Sequence, residues 1–335
     1  MNDPKVTVLM SAYNGARYLR DAIESILGQT FTDFEFLIIN DCSTDRSGEI
    51  LRGFRDPRIR IINNEKNIGL TCSLNRGLTQ ARGQYIARLD ADDISHPERL
   101  AKQVRHLDAY PEVGLLATAW ETIDEGENWL GISGKGLHSE AIYYTLTFCN
   151  FTVGPDVMYR RDLVMDLGGY DEAVRFAQDY DLWTRISRLA KVDYLPETLI
   201  KKRCRPDNIS SRLKAEQTEY SNRSFKSNLA TLMDDARYKA DEVMPIRVFH
   251  REQRYTKFTY RTLRELVKIE SALIAKCPRS LDKAVLKEHV DNRLMSYLWA
   301  MLIHRQIRDV ARASCTPRFV GAFVNVMTKK LKQHL

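Results

Sequence analysis

The sequence predicts an α/β protein in which a mainly parallel sheet is flanked by helices and followed by an α-helical C-terminal extension. Three observations point there. Short β-branched, apolar runs alternate with amphipathic stretches through the first hundred residues, joined by short links. Polar and acidic clusters follow the first, second and fourth of those runs. Residues 211–335 show helical periodicity together with an excess of basic side chains.

Val6 to Met10 reads as a buried strand, ended by the turn-forming Ser11-Ala-Tyr-Asn-Gly15. Leu19, Ala22, Ile23 and Ile26 mark one face of a helix. Phe34 to Ile39 is a second strand, closed by Asn40-Asp-Cys-Ser-Thr-Asp45, a cluster able to cap the helix that follows. Ile59 to Ile62 gives a third strand, and Leu70, Leu74, Leu78 and Ala81 another helix stopped by Gly83. Tyr85, Ile86 and Leu89 then open a fourth strand that delivers Asp90, Asp92 and Asp93. Ser95-His-Pro-Glu98 reads as a capping box with Pro just inside a helix start, and Leu100, Val104 and Leu107 continue that helix. Val113 to Ala119 reads as a strand, Gly126 to Gly136 as a Gly-rich loop carrying Trp129, and Leu182, Ile186 and Leu189 as one helix face.

The three carboxylates sit on the connection leaving the C-terminal end of a strand, where open α/β sheets bind ligands. Like charges this close repel, and a divalent cation with oxygen ligands relieves the repulsion. A magnesium or manganese ion there would carry further oxygens, best supplied by a diphosphate. The plain alternative is a solvated acidic turn before a helix.

Val6-Thr-Val-Leu-Met-Ser-Ala-Tyr-Asn14, Leu37-Ile-Ile-Asn-Asp-Cys-Ser-Thr-Asp45, Asn67-Ile-Gly69 and Leu89-Asp-Ala-Asp-Asp93 together resemble the family 2 glycosyltransferases of GT-A fold. The similarity covers about residues 5–210. It implies a nucleotide-diphosphate-sugar donor, a divalent metal and inversion at the anomeric carbon. By matching position, Ala12 and Tyr13 would border the nucleotide and Asp41 would accept a hydrogen bond from the base, uracil in most such enzymes. Asp90 would face the ribose or sugar, and Asp92 would hold the metal on the diphosphate. Asn40 stands where the family usually has the first of two paired Asp. Gly154-Pro-Asp-Val-Met-Tyr-Arg160 resembles the segment approaching the sugar, with Gly154 where His often stands. Phe176-Ala-Gln-Asp-Tyr-Asp-Leu-Trp183 is similar to the family's Glu-Asp-Tyr-Asp-Leu-Trp, with Gln178 in place of the acid.

Inverting transfer needs a carboxylate that takes the acceptor hydroxyl proton, and Asp179 is the residue expected to do so. On a helix Asp179 and Asp181 point about 200° apart, so only one can face a cleft. Arg203 or Arg205 could fork onto diphosphate oxygens, or belong to a solvated basic loop. Arg76 and Arg88 receive no role.

Composition bounds the rest. The chain has 335 residues, enough for one α/β domain plus an appendage, and no apolar run reaches the ~18–20 residues that span a bilayer. Its first residues lack the apolar core of a signal peptide, so a cytoplasmic protein is expected. Six cysteines without a Cys-x-x-Cys pair suggest reduced thiols rather than zinc. Residues 1–210 hold 26 Lys and Arg against 31 Asp and Glu, whereas residues 211–335 hold 25 against 13. The expected boundary is therefore at Ser210–Ser211, with a glycosyltransferase domain over 1–210 and a basic helical extension over 211–335. In that extension Leu286, Val290, Leu294 and Leu298 line one face, and Phe319, Val320, Phe323, Val324, Met327 and Leu331 another, near Lys329, Lys330 and Lys332. Packing of these faces is the first expectation, and peripheral contact with an anionic membrane the second. No nucleic-acid module accompanies the charge.

The reading is an inverting, metal-dependent transferase moving a sugar, from a UDP-sugar in the first instance, to a hydroxyl of a glycan or lipid-linked acceptor in cell-surface polysaccharide biosynthesis. A metal-dependent nucleotidyltransferase and a non-catalytic nucleotide-sugar-binding scaffold are the alternatives.

Overall fold

The computed structural model describes residues 3–133, 136–152, 154–205, 213–238, 240–252, 259–303, 317–318 and 320–322. The chain divides into two compact units, Met1–His138 with Asn150–Ser221, and Ser139–Cys149 with Asn222–Leu335. The expected boundary at Ser210–Ser211 lies outside the described residues.

The first unit is built on one sheet. Its strands are β1 (Val6–Ala12), β2 (Phe34–Asn40), β3 (Ile59–Asn63), β4 (Tyr85–Arg88), β5 (Ile94–Ser95), β6 (Val113–Ile123), β7 (Trp129–Ser133), β8 (Met158–Arg160) and β9 (Lys191–Arg203). They run in the order β3-β2-β1-β4-β8-β6-β9-β5, with β7 alongside β6. The first four strands are mutually parallel, as the alternation with helices requires. Beyond β4 the sheet is mixed: β8 is antiparallel to both neighbours, and β6 and β9 are parallel. Parallel strands are covered on both faces, which is why their side chains read as continuous apolar runs. On one face Val8, Met10, Phe36, Ile38 and Ala87 pack against Leu19, Ala22, Ile23 and Ile26 of α1 (Leu19–Leu27) and Leu100, Val104 and Leu107 of a helix at Arg99–Ala109. α2 (Ser47–Gly53) and α3 (Leu70–Gln80) complete the first crossovers, and that later helix is α4. Gly83 lets β4 come up beside β1, since a Cβ there would lie 2.3 Å from the Thr7 backbone nitrogen. Ala12, Asn40 and Asn63 pair in register, so the C-terminal ends of β1, β2 and β3 are level.

Three local expectations are corrected. Ser95 does not cap α4: it lies in β5, its hydroxyl accepts from Gln29 Nε2 at 3.2 Å, and its N–H donates to Ser25 Oγ at 3.1 Å. Those tertiary bonds and the pairing of β5 with β9 override the capping pattern, and α4 starts at Arg99 without a side-chain cap. Gly126 to Gly136 is not one loop, because Trp129–Ser133 pairs with β6. The turn is confined by Asp124, whose Oδ1 accepts from the N–H of Gly126 at 2.8 Å and of Asn128 at 2.9 Å. Leu189 falls beyond the helix it was expected to extend, and is exposed.

In the second unit the helices are Ser139–Phe148, most of Lys214–Leu232, Met244–Glu252, Tyr260–Ala275 and Lys283–Ile303. Leu286, Val290 and Leu294 are fully buried, together with Leu229, Ile246, Leu263, Leu266 and Ile269. Their face is a packing face. Of the six apolar residues expected to line a second face from Phe319 to Leu331, only Val320 is among the described residues, and it is exposed. No helix among the described residues is long and apolar enough to cross a membrane.

Candidate active site

Four chain segments meet at the C-terminal ends of β1, β2 and β4. Ala12 is buried and its carbonyl accepts from the Asp41 N–H at 2.8 Å, while Tyr13 just beyond is half exposed. Asn14 adopts a positive φ of 50°, which Asn tolerates, and its Oδ1 accepts from the Thr44 N–H at 2.8 Å. Asn14, Gly15 and Ala16 donate in turn to Ser43, Ser47 and Asp45. The loops after β1 and β2 are thereby zipped together.

Asp41 is 2% exposed, and its carboxylate organises the next loop. Oδ1 accepts from Asn64 Nδ2 at 2.7 Å and the Ile68 N–H at 2.9 Å, and Oδ2 from the Gly69 N–H at 2.9 Å. A carboxylate offers about four acceptor positions, so one more donor can be received on Oδ2. Asn40 is explained locally: its amide donates to Asn63 at 2.8 Å and its Oδ1 accepts from the Ser43 N–H. A neutral amide supplies both bonds where a carboxylate could only accept.

The turn after β4 is the most charged feature of the unit. Asp90 pairs with Arg88 Nη2 at 2.6 Å, and Asp92 Oδ2 with Arg205 at 2.9 Å. Asp93 is buried and accepts from the Arg203 N–H at 2.9 Å. Burial, then Asp90, raises the Asp92 carboxyl above its ordinary range, with Arg205 opposing. Burial and then the charges of Asp92 and Asp90 push Asp93 well above it. Arg203 is 1% exposed and donates to the carbonyls of Asp92 at 3.1 Å and Asp124 at 3.3 Å and to Glu127 at 3.0 Å. Its guanidinium holds the protein together, which corrects the expectation that it could serve a diphosphate. Arg205, with a quarter of its side chain exposed, is the arginine placed beside Asp92.

Asp179 is the second residue of the helix Gln178–Ser187, two positions after Ala177, whose φ of 62° is strained for a residue with a Cβ. Its Oδ1 accepts from the Tyr180 N–H at 2.8 Å and its Oδ2 from Asn150 Nδ2 at 2.8 Å. Burial raises its carboxyl, and the bond from Tyr180 and the charge of Arg88 oppose that rise. Asp181 points elsewhere and pairs with Arg185 at 2.8 Å, as the helical angle requires. Gly154, at φ 93°, lies between Asp179 and β4: a Cβ there would be 3.4 Å from Asp179 Oδ2 and 3.5 Å from Arg88 Nη1.

The structure therefore brings Asp90, Asp92 and Asp179 to one edge of the sheet, with Ala12, Tyr13 and Asp41 along the same edge. Arg88 and Asn150 are the residues that motif reading passed over. The signal for Arg88 was available, since it is a charged residue inside an otherwise apolar strand run, Tyr85-Ile-Ala-Arg-Leu89. Among the described residues no group of three or more His, Cys, Asp and Glu side chains is arranged to hold a metal ion. Magnesium-type ions need no such cage when one or two carboxylates and substrate phosphates share them. A hard oxygen donor at Asp92, partly exposed at a strand end, fits that shared mode.

The sequence profile of the family described as Glycosyl transferase family 2 matches residues 7–168. An uncharacterized glycosyltransferase of Methanocaldococcus jannaschii is 37% identical over 235 residues, 68% of this chain and 80% of the relative. One of Haemophilus influenzae is 32% identical over 245 residues, 68% of this chain and 74% of the relative. Among solved structures, S. aureus TarS 1-349 in complex with UDP-GlcNAc shares the fold with a TM-score of 0.60 at 20% identity, over 92% of this chain and 89% of that one. The mannosyltransferase PcManGT of Pyrobaculum calidifontis, in complex with GDP-Man and Mn2+, has a TM-score of 0.52 at 17% identity, over 98% of this chain and 89% of that one.

Arg203, the last residue of β9, and Arg205 just beyond it differ in what they hold, and their removal should differ in cost. Arg203→Ala strips donors from two backbone carbonyls and should lower unfolding stability by on the order of 3 kcal/mol. Arg205→Ala should cost about 1 kcal/mol or less, as for a partly exposed ion pair. Urea unfolding of both variants checks the contrast, and equal losses would contradict it.

Proposed function

The chain belongs to glycosyl transferase family 2, and from that premise we propose that it moves a sugar from a nucleotide-diphosphate donor to an acceptor hydroxyl, with inversion and with a divalent cation, Mn2+ or Mg2+. A UDP-sugar is the proposed donor, in keeping with the UDP-GlcNAc bound to TarS; the GDP-Man and Mn2+ of PcManGT support a metal-assisted reaction. The observation that carries the reading is the meeting of the Asp90–Asp92 turn with Asp179 around Gly154 and Arg88, two acidic groups from distant parts of the chain on one strand end.

In this proposal Ala12 and Tyr13 border the nucleotide, and Asp41 takes a base N–H on its remaining acceptor position. Asp90 holds a ribose or sugar hydroxyl, and Asp92 holds the cation together with the donor's diphosphate. When bound, the cation offsets charge developing on the departing diphosphate. Asp179 removes the acceptor hydroxyl proton as that oxygen attacks the anomeric carbon from the opposite side. Asn150 keeps Asp179 Oδ2 oriented by its 2.8 Å bond, and the helix N-terminus favours the ionised form. Because burial raises the Asp179 carboxyl, activity should fall as pH drops through a value above the ordinary Asp range of about 4. Below that value the base is protonated and cannot accept.

The acceptor proposed is a glycan or a lipid-linked saccharide used in cell-surface polysaccharide assembly at the inner face of the cytoplasmic membrane. What supports membrane contact is the 25 Lys and Arg against 13 Asp and Glu in residues 211–335, each basic group that reaches anionic headgroups being worth about 1 kcal/mol.

Three outcomes check these proposals. UDP should bind weakly in chelator and more tightly with Mn2+, and Asp92→Asn should abolish the difference in calorimetry; equal affinity in both conditions counts against the site. Asp179→Asn should leave UDP binding near wild type and lower transfer roughly a hundredfold or more, so full turnover in that variant would remove Asp179 from the role. The full chain should sediment with anionic vesicles at low salt and be released at high salt, and indifference to vesicles would leave the tail as a packing element.

A further inference from the structure

We propose that Arg88 is a positioning residue for the transfer reaction: its buried guanidinium, held by Asp90 on one side and facing Asp179 across Gly154 on the other, makes the donor-side carboxylate and the base parts of one charge network. The inference rests on the reading of Asp179 as the base and extends it to a residue that touches neither sugar.

Arg88 closes β4 and is 2% exposed. A guanidinium taken out of water costs several kcal/mol unless its surroundings compensate. The compensation is built from three directions. Asp90 accepts from Nη2 at 2.6 Å. Tyr170, which follows the helix Arg161–Asp166, lies close enough to bond the guanidinium, and its hydroxyl is 3.3 Å from that of Tyr159 on β8. Asp179 faces Nη1 across the bare Cα of Gly154, where a Cβ would sit 3.5 Å from Nη1 and 3.4 Å from Asp179 Oδ2. The backbone is fixed as well, since fully buried Arg99 donates to the Arg88 carbonyl at 2.8 Å and to that of Val157 at 3.0 Å. Nε of Arg88 is buried without a partner, so the side chain is held by its terminal nitrogens and the surrounding charge rather than by a saturated fork.

One cation is thus shared between two carboxylates. Burial disfavours the charged form of Arg88, and Asp90, the two tyrosines and Asp179 more than offset it. Burial also pushes Asp179 up; Arg88 opposes that rise and Asp90 adds to it. The charged and titratable groups facing Asp179 are therefore Arg88 and Asp90 from the β4 edge, with Tyr159 and Tyr170 behind the guanidinium, while Asp181 turns away to Arg185. Removing Arg88 leaves the bonds from Tyr180 and Asn150 as what opposes burial and the charge of Asp90 at Asp179. Removing the charge of Asp90 leaves Arg88 to Asp179 alone. The two changes must move the base in opposite directions.

The test needs no donor or acceptor. Asp residues carrying 13C at the carboxyl are introduced into the full chain, the Asp179 resonance is identified by its loss in Asp179→Asn, and its titration midpoint is followed with pH. Arg88→Met should raise the midpoint by about one unit or more, Arg88→Lys should bring it back toward wild type, and Asp90→Asn should lower it. An unmoved midpoint in Arg88→Met overturns the inference. If that variant does not fold, Asp90→Asn carries the test, and the absence of a downward shift overturns it equally. Failure of the base reading is separate: Asp179→Asn would then retain turnover, whatever the midpoints do.

Discussion

Three carboxylates within four residues at the end of a buried strand can be packed only if cationic and hydrogen-bonding groups answer them, and this fold supplies both from arginines. Arg88 faces Asp90, Arg205 faces Asp92, and the Arg203 backbone N–H binds Asp93 while its side chain ties down the Asp92 carbonyl. The remaining architecture follows from that need. β9 must run beside β6 and bring its C-terminal end to the Asp turn, because Arg203 and Arg205 are delivered there. β5 must pair with β9 to hold the far side of the turn. Of the three arginines Arg205 is the most exposed, so in the proposed reaction Asp92 is the carboxylate that would exchange its partner for a cation brought by a diphosphate.

The second dependence is on where the strands end. β1, β2 and β3 finish level, and β4 lies beside β1 in the same sheet with Arg88 opposite Leu9, so residues far apart in sequence lie along one edge. Asp41 spends three hydrogen bonds on neighbouring loops and Asn14 closes the first loop onto the second, which makes that edge a preorganised rim. Asp179 reaches it from the later half of the unit through a strained Ala177 and a bond from Asn150.

Much of this was legible in the sequence, and for a physical reason. Strands buried on both faces and helices with a single buried face write themselves as runs and periodicities, so β1 to β4, α1, α3 and α4 fall where those patterns put them. Asp41, Asp90 and Asp92 follow strand ends, and strand ends carry turn residues. What was hidden depends on tertiary partners. Ser95 has the letters of a helix cap, but Gln29, Ser25 and β9 claim it for a strand. Arg203 and Arg205, two residues apart, read alike in sequence, and only the fold makes one a structural tie and the other the neighbour of Asp92. Arg88 receives no role from sequence because nothing local shows that Tyr159, Tyr170 and Asp179 will enclose it. The helix Ser139–Phe148 belongs with the C-terminal helices although it lies within the first half of the chain, a grouping that no local pattern announces.

The central claim is that Asp92 exchanges Arg205 for a divalent cation when a nucleotide diphosphate arrives. Anomalous scattering from manganese, measured on crystals of the full chain grown with Mn2+ and UDP, tests it directly. A manganese peak is expected within bonding distance of an Asp92 carboxylate oxygen and of diphosphate oxygens, with the Arg205 guanidinium moved off Asp92. Bound UDP with no manganese at Asp92, and Arg205 still paired to it, would show that Asp92 does not hold the cation.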